Sequence, residues 1–216
     1  MIRLVFLGPP GVGKGTHAGL LAKSLKITHY STGDIFREIL KESSPLSEKL
    51  DKYVNSGKLV PDEIVFETVR EVLSNEENEN GWLLDGYPRN KNQAELLDNF
   101  LLSRDEELDY AVYLYASTEV LVKRLTNRRV CSDCGAIYNL VNNPPGKKGI
   151  CDKCGGILIQ REDDKSETIK KRISIFEREF EPLKEYYDDA GILVKISAEG
   201  DLERIAGRIK EGLKIG

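Results

Sequence analysis

The sequence lacks an excess of positive charge and a long hydrophobic run. Its 216 residues carry 32 lysines and arginines against 36 aspartates and glutamates, which gives a net charge of −4. Bulk attraction to nucleic acid or to an acidic membrane is therefore not expected, and any nucleotide binding must depend on local arginines. No apolar run approaches the roughly 18 residues of a membrane span. The apolar stretch before Gly8 is too short for a signal peptide, so we expect a cytoplasmic protein with no membrane or nucleic-acid partner.

Cysteine is also scarce, and its four copies lie close together. Cys131 and Cys134 form one C-x-x-C pair, Cys151 and Cys154 form a second, and sixteen residues separate the pairs. This spacing is typical of zinc sites, in which four thiolates fill a tetrahedral ion and leave no position for substrate. A rubredoxin-like iron site uses similar ligands, and two disulfides are the other alternative, although a reducing cytoplasm disfavours them. We predict one structural zinc ion per chain.

The overall composition is that of an ordinary globular protein, with 40% hydrophobic and 31% charged residues. Apolar strand-like and helix-like segments alternate along it, which predicts an α/β fold with a parallel sheet. We expect strands at 2–7, 27–30, 82–85, 109–116 and 192–196, and helices at 14–25, 118–128, 164–191 and 202–213. Further helices are expected to begin at Ser31, Ser44 and Pro61, with Gly57 ending the second of these. The acidic segment 74–80 is predicted to be a solvated loop.

Between 129 and 160 the helical pattern stops, and glycine, proline, asparagine and cysteine dominate. The segment has too few apolar residues for a core of its own, and small modules of this kind are usually stabilised by a metal. We interpret it as a subdomain inserted between two helices of the main body.

A glycine-rich loop, Gly8-Pro-Pro-Gly-Val-Gly-Lys-Gly-Thr16, lies between the first strand and the first helix. Glycines let successive N–H groups turn toward an anion, and the following helix adds its positive N-terminal end. Lys14 can then reach the terminal phosphates, and Thr16 can ligate Mg²⁺. A simple turn is the alternative, but the added lysine and threonine in register favour a phosphate-binding loop.

Asp85, which ends the apolar run 82–84, is a candidate for holding Mg²⁺ or its waters beside such a loop, although Asp-Gly is also a common turn. Several arginines are candidates for binding phosphate oxygens in a bidentate manner, because they border the insert or follow Asp85. The alternative is that they are solvated surface charges. These arginines are Arg89, Arg124, Arg128, Arg129, Arg161 and Arg172.

Seven separated motifs occur in one order along the chain: the loop ending at Thr16, Ser31-Thr-Gly-Asp-x-x-Arg37, Gly57-Lys-Leu-Val60, Asp85-Gly-Tyr-Pro-Arg89, Gln93, Arg128-Arg129 and Arg161-x-Asp-Asp164. In this order they resemble the adenylate kinase family over essentially the whole chain. The insert resembles the long, zinc-containing lid of the bacterial type. The sequence departs from the family pattern at His17, where glutamine is usual, and at Asn90, where threonine is usual. Neither is a phosphate ligand, so we expect little loss.

The resemblance implies a P-loop NTPase core with a five-stranded parallel sheet, made of residues 1–30, 61–127 and 162–216. It also implies a helical AMP-binding segment at 31–60 and a zinc-binding lid at 128–161. The implied activity is reversible phosphoryl transfer from ATP to AMP with Mg²⁺, giving two ADP, in a protein expected to be a monomer. Both mobile parts would close over the substrates and exclude water.

Residue roles follow from the same resemblance. The ATP site would use Gly11, Val12, Gly13, Lys14, Gly15, Thr16, Arg128, Ile137, Tyr138 and Gly200. The AMP site would use Thr32, Arg37, Lys58, Leu59, Val60, Gly86, Tyr87, Pro88, Arg89, Gln93, Arg161 and Arg172. Catalysis would depend on Lys14, Asp85, Arg89, Arg128, Arg161 and Arg172, and the metal on the four cysteines.

Two alternatives remain open. One is another nucleoside-monophosphate kinase that differs in acceptor or uses GTP as donor, although Thr32 and Gln93 favour AMP. The other is a P-loop or zinc-ribbon protein that binds nucleic acid. The acidic net charge and the absence of aromatics interleaved with basic residues in the insert argue against it.

Overall fold

The computed structural model of the protein describes residues 1–39, 47, 60–75 and 78–215. Within these ranges, five strands form one parallel sheet: β1 (Ile2–Leu7), β2 (Thr28–Ser31), β3 (Gly81–Asp85), β4 (Tyr110–Tyr115) and β8 (Leu193–Ser197). Their order across the sheet is β2-β3-β1-β4-β8, and each neighbouring pair is parallel. The predicted α/β class with a five-stranded parallel sheet is confirmed. The carboxyl ends of all these strands therefore lie along one edge of the sheet.

Helices connect the strands and cover both faces of the sheet. In chain order the described helices are α1 (Lys14–Leu25), α2 (Thr32–Ile39), α3 (Asp62–Leu73), α4 (Lys91–Leu102), α5 (Thr118–Thr126), α6 (Ser166–Asp189) and α7 (Leu202–Gly212). Side chains cap the starts of α4 and α7. Asn90 accepts from the Gln93 N–H at the start of α4, and Asp201 accepts from the Arg204 N–H at the start of α7, each at 2.9 Å. Each cap satisfies a helix N–H that has no partner within its helix.

The strand pleat divides the core into two apolar layers. Leu4 and Phe6 of β1 face one layer, whereas Val5 and Leu7 face the other, as the two-residue period of a strand requires. The first layer packs against α1, α5 and α7, and the second against α3 and α4. Helix α6 serves both layers, with Ile169 near its start in the first. Phe180, Leu183 and Tyr187, farther along α6, lie in the second layer.

The insert forms a small sheet of its own. Strand β5 (Arg128–Cys131) lies in the middle and pairs antiparallel with β6 (Ile137–Asn139) and β7 (Leu158–Ile159). Its apolar cluster contains Cys131, Tyr138, Cys151 and Leu158. This is too little apolar area to stabilise a module by burial alone, because small domains rely on added staples. A 3₁₀ turn (Glu162–Asp164) then leads into α6.

Three predicted elements differ from the structure. The helix expected at 164–191 spans Ser166–Asp189, because a 3₁₀ turn precedes it. The helix expected at 118–128 ends at Thr126, and Arg128 instead begins β5, where it pairs with Asn139. The segment 74–80 is not entirely solvated, because Asn78 is buried. Its Nδ2 donates to the carbonyls of Val72 and Leu73. A buried polar side chain therefore caps the C-terminal end of α3.

The helix predicted between Ser44 and Gly57 lies almost wholly outside the described residues. None of the helices in the described part of the chain combines the length and the apolar character that a membrane crossing needs.

Candidate functional site

The glycine-rich loop follows β1 at the carboxyl edge of the sheet and ends at the first turn of α1. Gly8, Gly11 and Gly13 have φ values of +144°, +83° and +102°, which side-chain-bearing residues rarely adopt. Space is also lacking, because a Cβ on Gly11 would lie 2.6 Å from Leu125 Cγ and one on Gly8 would lie 2.4 Å from a backbone oxygen. Glycine is required here by both conformation and packing.

Lys14 lies at the first position of α1 and points back into this loop. Its Nζ donates to the carbonyl oxygens of Gly8 at 2.7 Å and Pro9 at 3.2 Å. Burial lowers the pKa of Lys14 to about 8, against the opposing effect of Asp85. The nearby guanidinium groups of Arg89, Arg172 and Arg128 lower the same pKa further. The loop therefore holds a lysine whose positive charge lacks full compensation, as a site for a polyanion requires.

Asp85 ends β3, beside the loop. Its Oδ2 lies 3.0 Å from where a Cβ on Gly15 would stand, and the Thr16 side chain on the next residue is exposed. Burial raises the pKa of Asp85, and the charge of Lys14 opposes this shift. A carboxylate and a hydroxyl at this place are the hard oxygen donors that Mg²⁺ prefers, so the residues fit a Mg²⁺–nucleotide complex.

Two arginines at the base of the insert are held by carboxylates. Arg128 makes a bidentate pair with the fully buried Asp164, with Nε at 2.7 Å and Nη2 at 2.6 Å from its two oxygens. Nη1 of Arg172 lies 2.7 Å from an oxygen of Asp163 and 3.3 Å from Asp164. Both arginine side chains remain partly exposed, at 17% and 31%. They are fixed near Lys14 and still accessible to an incoming anion.

The other predicted arginines fall into two groups. Arg89 is exposed and its Nε donates to the Gly86 carbonyl at 3.0 Å, and Arg161 is half-buried just before the 3₁₀ turn. Arg124 and Arg129 each donate to two backbone carbonyls. Arg124 joins the carbonyls of Val12 and Ala198, at 3.0 and 2.8 Å, and so connects the glycine loop to the β8–α7 loop. Its contacts are those of a structural support.

Residues after β3 and β2 form the predicted acceptor side of the site. The buried Thr32 hydroxyl donates to the Asp85 carbonyl at 3.1 Å, and a Cβ on Gly86 would lie 2.8 Å from that hydroxyl oxygen. The buried Tyr87 donates to the Gln93 carbonyl at 2.9 Å. Pro88 is also buried and Val60 is half-buried. The structure places Thr32 and Gly86 beside Asp85, at the carboxyl end of β3.

Three predicted acceptor residues cannot be placed in this way. Lys58 and Leu59 lie outside the described residues, as does the Arg37 side chain.

Gln93 is almost fully buried, and protein groups contact both ends of its amide. Its Oε1 accepts from the Arg89 N–H at 2.8 Å, and its Nε2 donates to Asp62 Oδ1 at 2.7 Å. Sequence reasoning recognised Pro61-Asp62 only as a helix start and did not find this contact. The short run Asn90-x-Asn-Gln93, rich in amide donors, was the available signal.

The predicted donor residues on the insert and the β8–α7 loop differ in exposure. Ile137 is 48% exposed on β6 and Gly200 is exposed in the loop that follows β8. Tyr138 is buried, and its hydroxyl accepts from the Asp152 N–H at 2.8 Å and lies 3.5 Å from Cys151 Sγ. The Tyr138 side chain therefore contacts the cysteine cluster.

The four cysteine sulfurs converge and are not joined in disulfides. All lie within 4.8 Å of one another, and the closest pairs, Cys131–Cys154 and Cys134–Cys151, are 3.4 and 3.6 Å apart. A tetrahedral zinc ion with Zn–S bonds of about 2.3 Å separates its sulfurs by about 3.8 Å. The donor set and its spacing therefore fit one four-coordinate metal ion. A hydrogen bond with Tyr138 lowers the pKa of Cys151, which favours the thiolate form of that one ligand.

A parallel sheet with a glycine loop after its central strand, a lysine in that loop and an acid on the adjacent strand defines a P-loop phosphotransfer protein. The family model described as "Adenylate kinase" matches residues 6–192. The chain is 44% identical over 210 residues to the adenylate kinase of Geobacillus sp. strain WCH70, covering 97% of each chain. It is 46% identical over 213 residues to that of Caldicellulosiruptor bescii, covering 99% of this chain and 98% of the relative. The chain belongs to the adenylate kinase family.

Proposed function

We propose that the protein catalyses reversible phosphoryl transfer between ATP and AMP to give two ADP. The observation that carries the proposal is a lysine in a glycine loop beside Asp85, with the charges of Arg89, Arg172 and Arg128 close enough to act on it. Phosphoryl transfer requires charge neutralisation and in-line positioning more than acid–base chemistry. The basic residues of the described site are suited to that charge neutralisation.

In the proposed mechanism, the loop from Gly11 to Thr16 holds the phosphates of ATP through its backbone N–H groups and the N-terminus of α1. Lys14 exchanges its two carbonyl contacts for phosphate oxygens and neutralises charge on the transferred group. Bound Mg²⁺ would neutralise and orient the phosphates, with Thr16 and Asp85 as the residues that hold it or its waters.

The arginines have complementary roles in the proposal. Arg128 and Arg172 leave or share their carboxylate partners to contact the phosphates between donor and acceptor, and Arg161 joins them from the start of the 3₁₀ turn. Arg89, with Arg37, holds the AMP phosphate. Guanidinium groups suit this task because their paired N–H groups match two phosphate oxygens.

The remaining roles follow from family membership. Ile137, Tyr138 and Gly200 would contact ATP, and Thr32, Lys58, Leu59, Val60, Gly86, Tyr87, Pro88 and Gln93 would contact AMP. We divide the chain into the core (1–30, 61–127, 162–216), the AMP-binding segment (31–60) and the lid (128–161). Closure of the last two over both substrates would exclude water as the competing acceptor.

For the metal of the lid we propose zinc, held by the four cysteines as a structural ion with no part in the chemistry. We further propose that the protein acts as a monomer in the cytoplasm. The unpaired thiols of the cysteine cluster support a reducing compartment.

A coupled assay of ADP formation tests the function. Purified protein with MgATP is given AMP, GMP, CMP or UMP in turn, and MgGTP then replaces MgATP with AMP as acceptor. We expect fast ADP formation only with ATP and AMP, and slow ATP hydrolysis when no acceptor is present. Faster turnover with another acceptor, or with GTP, would identify a different nucleoside-monophosphate kinase. Rapid ATP hydrolysis without acceptor would contradict a transferase.

A further inference from the structure

Asp62, the first residue of α3, collects side-chain N–H groups from the start of α4. Gln93 Nε2 lies 2.7 Å from its Oδ1, and Asn92 Nδ2 lies 2.8 Å from its Oδ2. Asn90 Nδ2 lies 3.2 Å from each of the two oxygens. One carboxylate thus accepts from three amide side chains. Part of this arrangement has an evident structural use, because it ties the N-termini of two helices together.

The contact with Gln93 has a second effect, on the orientation of its amide. The Arg89 N–H that meets Oε1 can only donate, and an ionised Asp62 can only accept. Rotating the amide by half a turn would set an NH₂ group against the Arg89 N–H and a carbonyl oxygen against the carboxylate. Both contacts would become repulsive. The chemistry of the two partners therefore fixes which end of the buried amide is the donor.

Fixing the amide matters for a purine base. Adenine presents an acceptor at N1 beside a donor at its amino group, whereas hypoxanthine and guanine present a donor at N1 beside an acceptor at O6. A primary amide has a second N–H and a second lone pair beyond those used by Asp62 and Arg89. An amide held in one orientation matches one of the two base patterns, and a freely rotating amide matches both.

We propose that Asp62 is a specificity-determining positioning residue, which holds the Gln93 amide in the orientation that accepts adenine and rejects 6-oxopurines. The inference rests on the proposed function, in which Gln93 hydrogen-bonds the base of AMP. Asp62 acts through Gln93 and contacts no substrate itself. Its acceptor-only carboxylate is the essential property, because Asp62 and the donor-only Arg89 N–H together forbid the rotated amide, and without the carboxylate one end of the amide is no longer constrained.

The test replaces Asp62→Asn, which keeps the size of the side chain but can present either an oxygen or an NH₂ group to Gln93. The kcat/KM values for AMP and for IMP are measured with saturating MgATP, together with the KM for ATP and the thermal midpoint. We expect the AMP-to-IMP ratio of kcat/KM to fall by about tenfold or more. In the variant the Gln93 amide can rotate and pair with the base of IMP, whereas in the wild type IMP leaves buried groups unpaired. The change should appear mainly in the KM for the acceptor, with the KM for ATP unchanged.

Three further variants complete the design. Asn92→Ala removes a different donor from the same carboxylate and leaves both Gln93 contacts intact, so its ratio should equal that of the wild type. Asp62→Glu keeps an acceptor-only group and should retain most of the selectivity. Asp62→Ser serves as a second test of lost orientation if Asp62→Asn folds poorly.

An equal loss of kcat/KM for AMP and IMP, or an unchanged ratio, in a folded Asp62→Asn or Asp62→Ser variant would overturn the inference and leave Asp62 a structural link. If the wild-type protein fails to phosphorylate AMP at all, the proposed function fails instead, and the two failures are thereby distinguished.

Discussion

The glycine-loop site and the cysteine cluster each bring several groups of one chemical kind together, but they do so in opposite ways. At the loop, Lys14 and Arg128 are already bonded to carbonyl or carboxylate oxygens of the protein and remain partly accessible. In the cluster, the sulfurs of all four cysteines face one another within 4.8 Å. The cationic side chains at the loop are paired with oxygens that a ligand can replace. The four sulfurs are all directed at a single point.

We interpret this difference as a division between a catalytic site at the loop and a structural site at the cysteine cluster. In the proposed mechanism, phosphate oxygens replace the oxygen partners of Lys14 and the arginines. Four thiolates around one ion leave no position for substrate, because a tetrahedral site is then saturated. Damage at the loop should therefore reduce turnover and leave stability nearly intact, and damage at the cluster should do the reverse.

The largest effect is expected for Lys14→Ala. Removing the charge that neutralises the transferred phosphoryl group should lower kcat by about a hundredfold to a thousandfold, the range seen when one charge-stabilising donor is lost. Steady-state ADP formation measures it, and circular dichroism should show an unchanged fold. Lys23→Ala, at an exposed position on the same helix, is the control and should behave as wild type. Near wild-type turnover in Lys14→Ala would contradict the assignment of the loop.

A smaller and selective effect is expected for Gln93→Ala. The mutation leaves the adenine edge and the Arg89 N–H without a partner and removes one of the three amide donors to Asp62. The kcat/KM for AMP should therefore fall by about tenfold or more. The KM for ATP should stay the same. Asn99→Ala, at an exposed position of α4, provides the matched control. Equal weakening of both nucleotides would mean that Gln93 is only structural.

The protonation state of Lys14 should make the affinity for ATP depend on pH. Burial holds its pKa at about 8 in the free protein, and a bound polyphosphate favours the charged form. Binding should therefore take up a proton above that pH, and affinity should fall by about fivefold between pH 8 and pH 9. Calorimetry in two buffers with different ionisation enthalpies measures the uptake. Lys14→Arg, which stays charged, should show none, and absence of uptake in the wild type would refute the mechanism.

The smallest effect on turnover is expected for Cys151→Ser. Loss of one thiolate should weaken metal binding and lower the thermal midpoint by about 5 °C or more, because metal binding contributes to folding free energy. Turnover at moderate temperature should stay within the same order of magnitude. Metal content per chain and a melting curve measure the first part, and the ADP assay the second. If metal removal abolished turnover while the lid stayed folded, the structural role would be wrong.

Local patterns in the sequence were sufficient to predict the sheet and most of its helices. The predicted strands at 2–7 and 82–85 and the predicted helix at 164–191 correspond to elements with buried surfaces in the structure. The C-x-x-C pairs predicted a metal-binding cluster because ligand spacing is a short-range property. The structure brings their sulfurs together.

The features that sequence reasoning missed depend on contacts between distant parts of the chain. Asn78 lies in an acidic segment, but it accepts a hydrogen bond from Tyr30, 48 positions earlier. Asp62 and Gln93 are 31 residues apart, and nothing in either local pattern shows that their side chains meet. The end of α5 before Arg128 is likewise set by pairing with Asn139.

The ion pair between Arg128 and Asp164 has a consequence for how this architecture can change. Its atoms join positions 36 residues apart at 2.7 Å, so the chain leaves the core and returns to it at nearly the same point. A segment whose ends meet can be lengthened, shortened or exchanged without rerouting the polypeptide around it. The parallel sheet would keep its strand order whether a metal-bound module or a brief turn bridged the gap. Replacement or deletion of the segment between Arg128 and Asp164 is therefore the natural route, in evolution or in the laboratory, to kinases that share one core but differ in the inserted segment.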